Sequence, residues 1–277
     1  MMVKQAYFGS RRSVLVGIGL TGLLCAWALG LDPRRLFQPE SWRLVFDFFL
    51  SAFRPAVGYE NPVEGAEPFL VVALQALGRT LRFALQAMSI AIPAAAVLTL
   101  LATTSWWPEA PSWRPFLRGL YLLSRGVMAL ARSVHELIWG LLFITAVGLS
   151  TEAAILAIAI PFSGILAKVY SEILEEHSRG PQETLEAAGA GSLAAFTVGL
   201  LPAAFPDLLS YTFYRLECGV RSAAVLGFVG IETIGQYIKL ASDEFHYREV
   251  WTYLYLLLFL ILIIEWWGAS IRKRLRG

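Results

Sequence analysis

Pro181–Pro202 reads PQETLEAAGAGSLAAFTVGLLP, the longest water-compatible, helix-like stretch in a chain otherwise dominated by apolar runs of bilayer length. Gly180 and Pro181 suit the N-cap and first position of a helix, and Glu183 and Glu186 favour its positive N-terminal end. Gly189 can take the left-handed conformation that stops it. Ser192 can then cap a second short helix with Leu193, Phe196 and Leu200 on neighbouring turns, expected to close at Pro202. Helices that lie on lipid are usually rich in Lys or Arg, whereas this polar face carries two glutamates and no basic residue after Arg179. The segment is therefore expected to meet a protein.

The surrounding composition explains why such a segment stands out. Of 277 residues, 57% are hydrophobic and 16% charged, against about a quarter charged in soluble domains. The expected fold class is an all-α integral membrane protein. A net charge of +2 and the lack of a basic tract with interleaved aromatics give nothing for a nucleic acid to bind. Cys25 and Cys218 lie in separate apolar runs and are read as packed thiols rather than a disulfide or metal pair.

A bilayer core of ~30 Å takes roughly 20 apolar residues in helix. On that measure about six transmembrane helices are expected, in one domain covering 1–277, at about 14–31, 82–103, 133–149, 151–171, 206–229 and 250–270. Only Ser150 separates the third from the fourth, which requires a tight hairpin. The first run follows Lys4, Arg11 and Arg12 as a secretory signal would, but it is long and ends in Asp32-Pro33-Arg34-Arg35 without a small-x-small site, so it is read as a span. The start of the second is blurred by Gln75 and Arg79 inside Phe69–Leu81. Lys and Arg accumulate at both termini, in Arg114–Arg132 and at Arg179, and are sparser in Arg34–Arg54 and around Lys239 and Arg248. By the positive-inside rule both termini and the 181–202 loop are cytoplasmic.

Outside the spans, SWRLVFDFFLSAF is expected to form an amphipathic helix in the outer interface, with Trp42, Val45, Phe46, Phe49, Leu50 and Phe53 on one stripe. Pro55–Pro68 reads as an exposed loop. Arg114–Arg132, introduced by Trp106, Trp107 and three prolines, is expected to run along the inner surface.

Several chemistries are excluded. No GxxxxGK[ST] loop is present, so any ATP is handled by another chain. His135-Glu136 begins an HExxH pattern that fails at Trp139, and no GxSxG elbow occurs, so no catalytic residue and no metal site are assigned. Charges within spans carry more information, because an unpaired charge at mid-bilayer costs several kcal/mol. Glu217 and Arg221 lie four apart on one face and can pair, and Arg215 is offset around the same helix. Two readings stay open: an ion pair that holds helices together, or a cationic path in which Arg221 and Arg215 compensate a passing anion. Glu136 and Lys168 are expected to pair near the cytoplasmic edge, with Glu136 also kept among the pathway residues.

Pro181–Pro202 resembles the EAA loop of ABC importer permeases, in which a Glu is followed six residues later by Gly and twelve further by Leu-Pro. Glu183, Gly189, Leu201 and Pro202 stand in that register; Thr184, Leu185 and Gly199 depart from the usual residues. Leu209–Gly235, LSYTFYRLECGVRSAAVLGFVGIETIG, looks like the fifth span of phosphonate-type ABC permeases, and Arg132–Gly148 resembles their third, with Glu136 and Trp139 in place. Glu232 and Thr233 stand where small residues are common. The resemblance implies a type I ABC importer permease fold in a bacterial inner membrane. It also implies a homodimer that works with two ATPase subunits and a soluble substrate-binding protein to take up phosphonate or a related oxyanion. ATP and Mg would sit on the partner ATPase and no cofactor on this chain. Glu183, Glu186, Gly189, Leu201 and Pro202 would couple to the ATPase, and Arg215, Glu217, Arg221 and Glu136 would line the pathway. A permease for another small anion or an amino acid, a non-transport membrane subunit and a membrane enzyme are the alternatives.

Overall fold

A computed structural model describes residues 3–30, 38–61, 65–107 and 114–276. The Asp32-Pro33-Arg34-Arg35 stop and two of the prolines after Trp107 lie outside the described residues. The chain divides into two units, 1–54 and 55–277.

The first unit holds α1 (Val3–Ala28) and α2 (Pro39–Ser51). Within α1, Arg12–Ala28 is apolar but shorter than a full span. Cys25, expected to be packed, is exposed; the described apolar side chains around it, Ala26 aside, are exposed too and offer the thiol no protein core. In α2 the expected stripe is present and Trp42, Val45, Phe46, Phe49 and Leu50 are all exposed. Phe53 falls beyond the last helical residue.

The second unit is built on α3 (Phe69–Ala102) and α6 (Thr151–Glu176). The buried side of α3 is a seam of small residues, Ala73, Ala76, Thr80, Ala84, Ala87, Ala91, Ala95, Thr99 and Ala102, spaced three and four apart. The facing residues of α6 are equally small, among them Ala153, Ala157, Ser163, Gly164 and Ala167. Small side chains let helix backbones approach closely, which is how packing is won where lipid gives no hydrophobic drive. Thr99 Oγ1 accordingly reaches the Ala167 carbonyl at 3.3 Å. One unbroken helix runs from Phe69 to Ala102 through the stretch where the start of the second span was blurred, with Gln75 and Arg79 off the buried seam.

Between these helices lie α4 (Arg114–Ser133) and α5 (Glu136–Val147), bent by 87° at Val134–His135. The third expected span, 133–149, is thus a helix of 12 residues, about 18 Å long and too short to cross alone. His135 makes the corner. Its extended backbone and its Nδ1, which accepts from Leu137 N at 3.3 Å, cap α5. Nor is α4 merely a surface helix: Leu117, Ser124, Met128 and Ala131 are buried, with Gly164 of α6 set against Met128 and Ala131.

Two further elements complete the unit. Helix α7 (Gly180–Ala187) leads into α8 (Ser192–Ala195), a π turn (Phe196–Leu200) and α9 (Leu201–Leu226). A 3₁₀ turn (Gly227–Val229) then precedes α10 (Ile234–Asp243) and α11 (Tyr247–Arg276). Among the described residues four helices are long and apolar enough to span a membrane, five if α4 and α5 count as one. Of Pro55–Pro68, expected as an exposed loop, most described residues are exposed, and the segment is also strapped to the start of α11. Thr252 Oγ1 donates to Ala56 O at 2.7 Å, Glu60 N to Glu249 Oε1 at 2.7 Å and Arg248 N to Glu60 Oε1 at 3.0 Å.

Candidate functional site

The 180–202 segment forms as a unit, with changes at both ends. In α7 the N-cap is Arg179, Pro181 falls in the first turn and Gly189 has φ +94°. That left-handed residue lets Gly189 N and Ala190 N turn back onto Glu186 O and Leu185 O, at 2.9 and 3.0 Å, closing the helix end. Glu183 and Glu186 are exposed. Gln182, which the sequence did not single out, is buried to 3% and anchors the helix: its Nε2 donates to Ser105 O at 2.8 Å and to Glu186 Oε1 at 2.9 Å. Glu186 therefore braces the segment as well as facing solvent.

The second helix does not close at Pro202. Gly191, not Ser192, is its N-cap, Leu193 is exposed, and only Phe196 and Leu200 are buried, in a small core with Leu174 and Ala204. The chain then passes through the π turn straight into α9, so that Ser192–Val229 is a single helical run. Leu201 N bonds to Phe196 O across the wider turn. Pro202 then sits directly after the wider turn, where the irregular hydrogen bonding accommodates its missing N–H. Gly199 explains itself: a Cβ there would stand 3.0–3.1 Å from the backbone of Pro181 and Gln182. Its departure from the usual aliphatic residue is the contact that seats α7 on the head of α9.

Along α9 the expected pair is made, Arg221 Nη2 to Glu217 Oε1 at 2.7 Å. Arg221 remains half exposed, with 51% of its side chain accessible, and Glu217 is largely covered at 18%. Arg215 is held differently, its guanidinium 4.7 Å above the Phe162 ring and its Nε buried without a hydrogen-bond partner. The expected pairing of Glu136 with Lys168 is not found. Lys168 binds Glu172 one turn along its own helix at 2.6 Å. Glu136 Oε1 accepts from Ser222 Oγ at 2.6 Å, tying the corner of α5 to α9 one residue beyond Arg221. Helical spacing made the first pair accessible to sequence reasoning; the second needed the bend at His135.

At the far end of α9 the turn is closed by glycine contacts. A Cβ at Gly235 would lie 1.7 Å from Ala224 O, and one at Gly227 would lie 2.3 Å from Gln236 N. Thr233, placed where small residues are common, is fully buried, and Ile234 N donates to Thr80 Oγ1 at 2.9 Å.

The model of the family described as "Binding-protein-dependent transport system inner membrane component" matches residues 70–277. A protein of Stutzerimonas stutzeri named as the HtxE permease of a phosphite transport system is 36% identical over 170 residues, covering 61% of this chain and 65% of that protein. The chain thus spans just under two thirds of that relative's length. The phosphate-import permease protein PhnE of Mycolicibacterium smegmatis is 26% identical over 194 residues, 70% of this chain and 35% of that protein. A chain of the MetNI methionine ABC transporter in an inward-facing conformation shares the fold, with TM-score 0.66 at 20% identity, over 76% of this chain and 99% of that one.

Proposed function

Since the chain belongs to the family of binding-protein-dependent transport system inner membrane components, we propose that it is the permease subunit of an ATP-driven importer for phosphonate or a related phosphorus oxyanion. The names borne by its phosphite and phosphate relatives support that substrate class. Charge alone would serve a carboxylate equally well. A second copy of this chain, two ATPase subunits that hold ATP and Mg, and an extracytoplasmic binding protein complete the machine. The distribution of Lys and Arg supports cytoplasmic termini and a cytoplasmic 180–202 segment.

One observation carries the reading. An exposed acidic helix, anchored through Gln182 and seated against Gly199, stands directly on the head of the helix that bears Glu217 and Arg221. In this reading Glu183 and Glu186 face the ATPase, Gly189 makes the turn, and Leu201 and Pro202 transmit displacement into α9. Arg221, accessible in the single chain and restrained by Glu217, faces the path between two copies and attracts an anion without trapping it. Arg215 lies deeper, and Glu136 positions the corner of α5 beside Arg221 through Ser222.

The test is reconstitution with the ATPase and binding protein. Uptake of methylphosphonate or phosphite should require all partners, and Arg221→Glu should abolish it while co-purification with the ATPase persists. ATP hydrolysis by this chain alone would overturn the assignment.

A further inference from the structure

A cavity of about 400 Å³ opens where α3, the start of α6 and the segment after the 3₁₀ turn converge. Arg79, Arg82 and Gln86 of α3 line one wall, Ser150 and Thr151 another, and Glu232 its rim. Three- and four-residue spacing puts two guanidinium groups and an amide on one stripe. Ser150 caps α6, its hydroxyl accepting from Ala153 N at 3.2 Å, so the positive end of a 26-residue helix meets the same space.

The two arginines are held in different ways. Arg79 is braced: Nη2 donates to the Tyr237 hydroxyl at 2.9 Å, Nη1 lies 4.0 Å from Glu232, and Nε is buried without a hydrogen-bond partner. Arg82 is exposed and makes no hydrogen bond or ion pair with the described residues. A purely structural ion pair would supply an acid for each cation. Here the one carboxylate lining the cavity, Glu232, is 73% exposed and pairs with Arg79 alone. Guanidinium forks and a helix N-terminus both suit a tetrahedral oxyanion, and the volume leaves room for an organic substituent.

We propose that this cavity receives the transported oxyanion before it reaches α9, with Arg82 as the first contact, Arg79 as the fixed second, and Gln86 and the α6 N-terminus donating to the remaining oxygens. The proposal rests on the oxyanion-importer reading. The experiment is uptake of methylphosphonate, phosphite and inorganic phosphate by the complete complex in phosphatidylcholine vesicles, at saturating binding protein. Arg82→Gln should lower the maximal rate about tenfold or more, the loss of one charge-assisted contact, and Arg82→Lys should recover most of it. A rate for Arg82→Gln within about twofold of wild type would overturn the receiving site and leave the importer reading intact. No uptake of any probe by wild type would sink both. Lost capture of the binding protein by Arg82→Gln would make the arginine a docking residue and also overturn the site. So would a wild-type rate that drops when phosphatidylglycerol is added while the Arg82→Gln rate does not, since a lipid headgroup would then occupy the cavity.

Discussion

Two turns of the second unit are closed by glycine, for opposite reasons. At the end of α7, Gly189 serves by conformation: its φ is +94° and a Cβ there would touch nothing within 4 Å. Beyond the C-terminus of α9, Gly227 and Gly235 serve by absence, because neighbouring backbone occupies the space a side chain would need. Gly199 lies between these cases, with a would-be Cβ in tight contact that a small shift relieves. A turn made by conformation can present an exposed helix to a partner and yield under load. One made by interpenetrating backbones fixes the geometry of whatever it encloses, here the arginine cavity.

Substitutions rank by that distinction. Gly235→Ala should be the most damaging, costing about 3 kcal/mol or more because α9 and α10 must separate, and it should show as loss of monodisperse protein. Gly199→Ala should cost about 1–3 kcal/mol, read as a lower thermal midpoint in protein that still folds. If it abolished folding as Gly235→Ala is expected to, the distinction between tight contact and interpenetrating backbone would collapse. Gly189→Val forces a β-branched residue into positive φ, about 1–2 kcal/mol. Insertion should survive and coupled uptake should fall, and normal coupling would mean that the segment is only a surface helix. Ser222→Ala removes the donor from Glu136 and should cost about 1 kcal/mol, sharpened by Glu136→Gln having a similar effect. Arg221→Met combined with Glu217→Gln should change stability by less than about 1 kcal/mol, since Arg221 is half exposed. Uptake by that double variant separates a structural pair from a pathway.

What the sequence made legible follows the range of the forces involved. Glu183, Gly189 and the Glu217–Arg221 pair are governed by contacts within four residues, and all fall where helical spacing and turn chemistry put them. The polar stretch Arg132–Glu136 marked a boundary there, but the 87° bend at His135 was not legible from local sequence. The partner of Glu136 was hidden with it, being 86 residues away. Gln75 and Arg79 were seen only as interruptions of a span. Set beside Arg82 and Gln86, they form a polar stripe at helical spacing, a signal that was present and gains meaning once α3 is known to begin at Phe69. Gly199 looked like a weaker match to a pattern and is the seat of one helix on another.

The π turn at Phe196–Leu200 constrains the chain by counting rather than by chemistry. It holds one residue more than an α-helical turn, and each residue of an α-helix advances the phase by about 100°. Deleting any one residue there would let the helix close regularly, but it would rotate α8 and everything before it by that angle about the axis of α9, carrying Gly199 off Gln182. Insertions and deletions between Ser192 and Pro202 are therefore far less permissible than changes of side chain at exposed Thr197 or Val198. The surplus residue also makes this a point on the route from Glu183 to Arg221 where a push can be taken up as a twist.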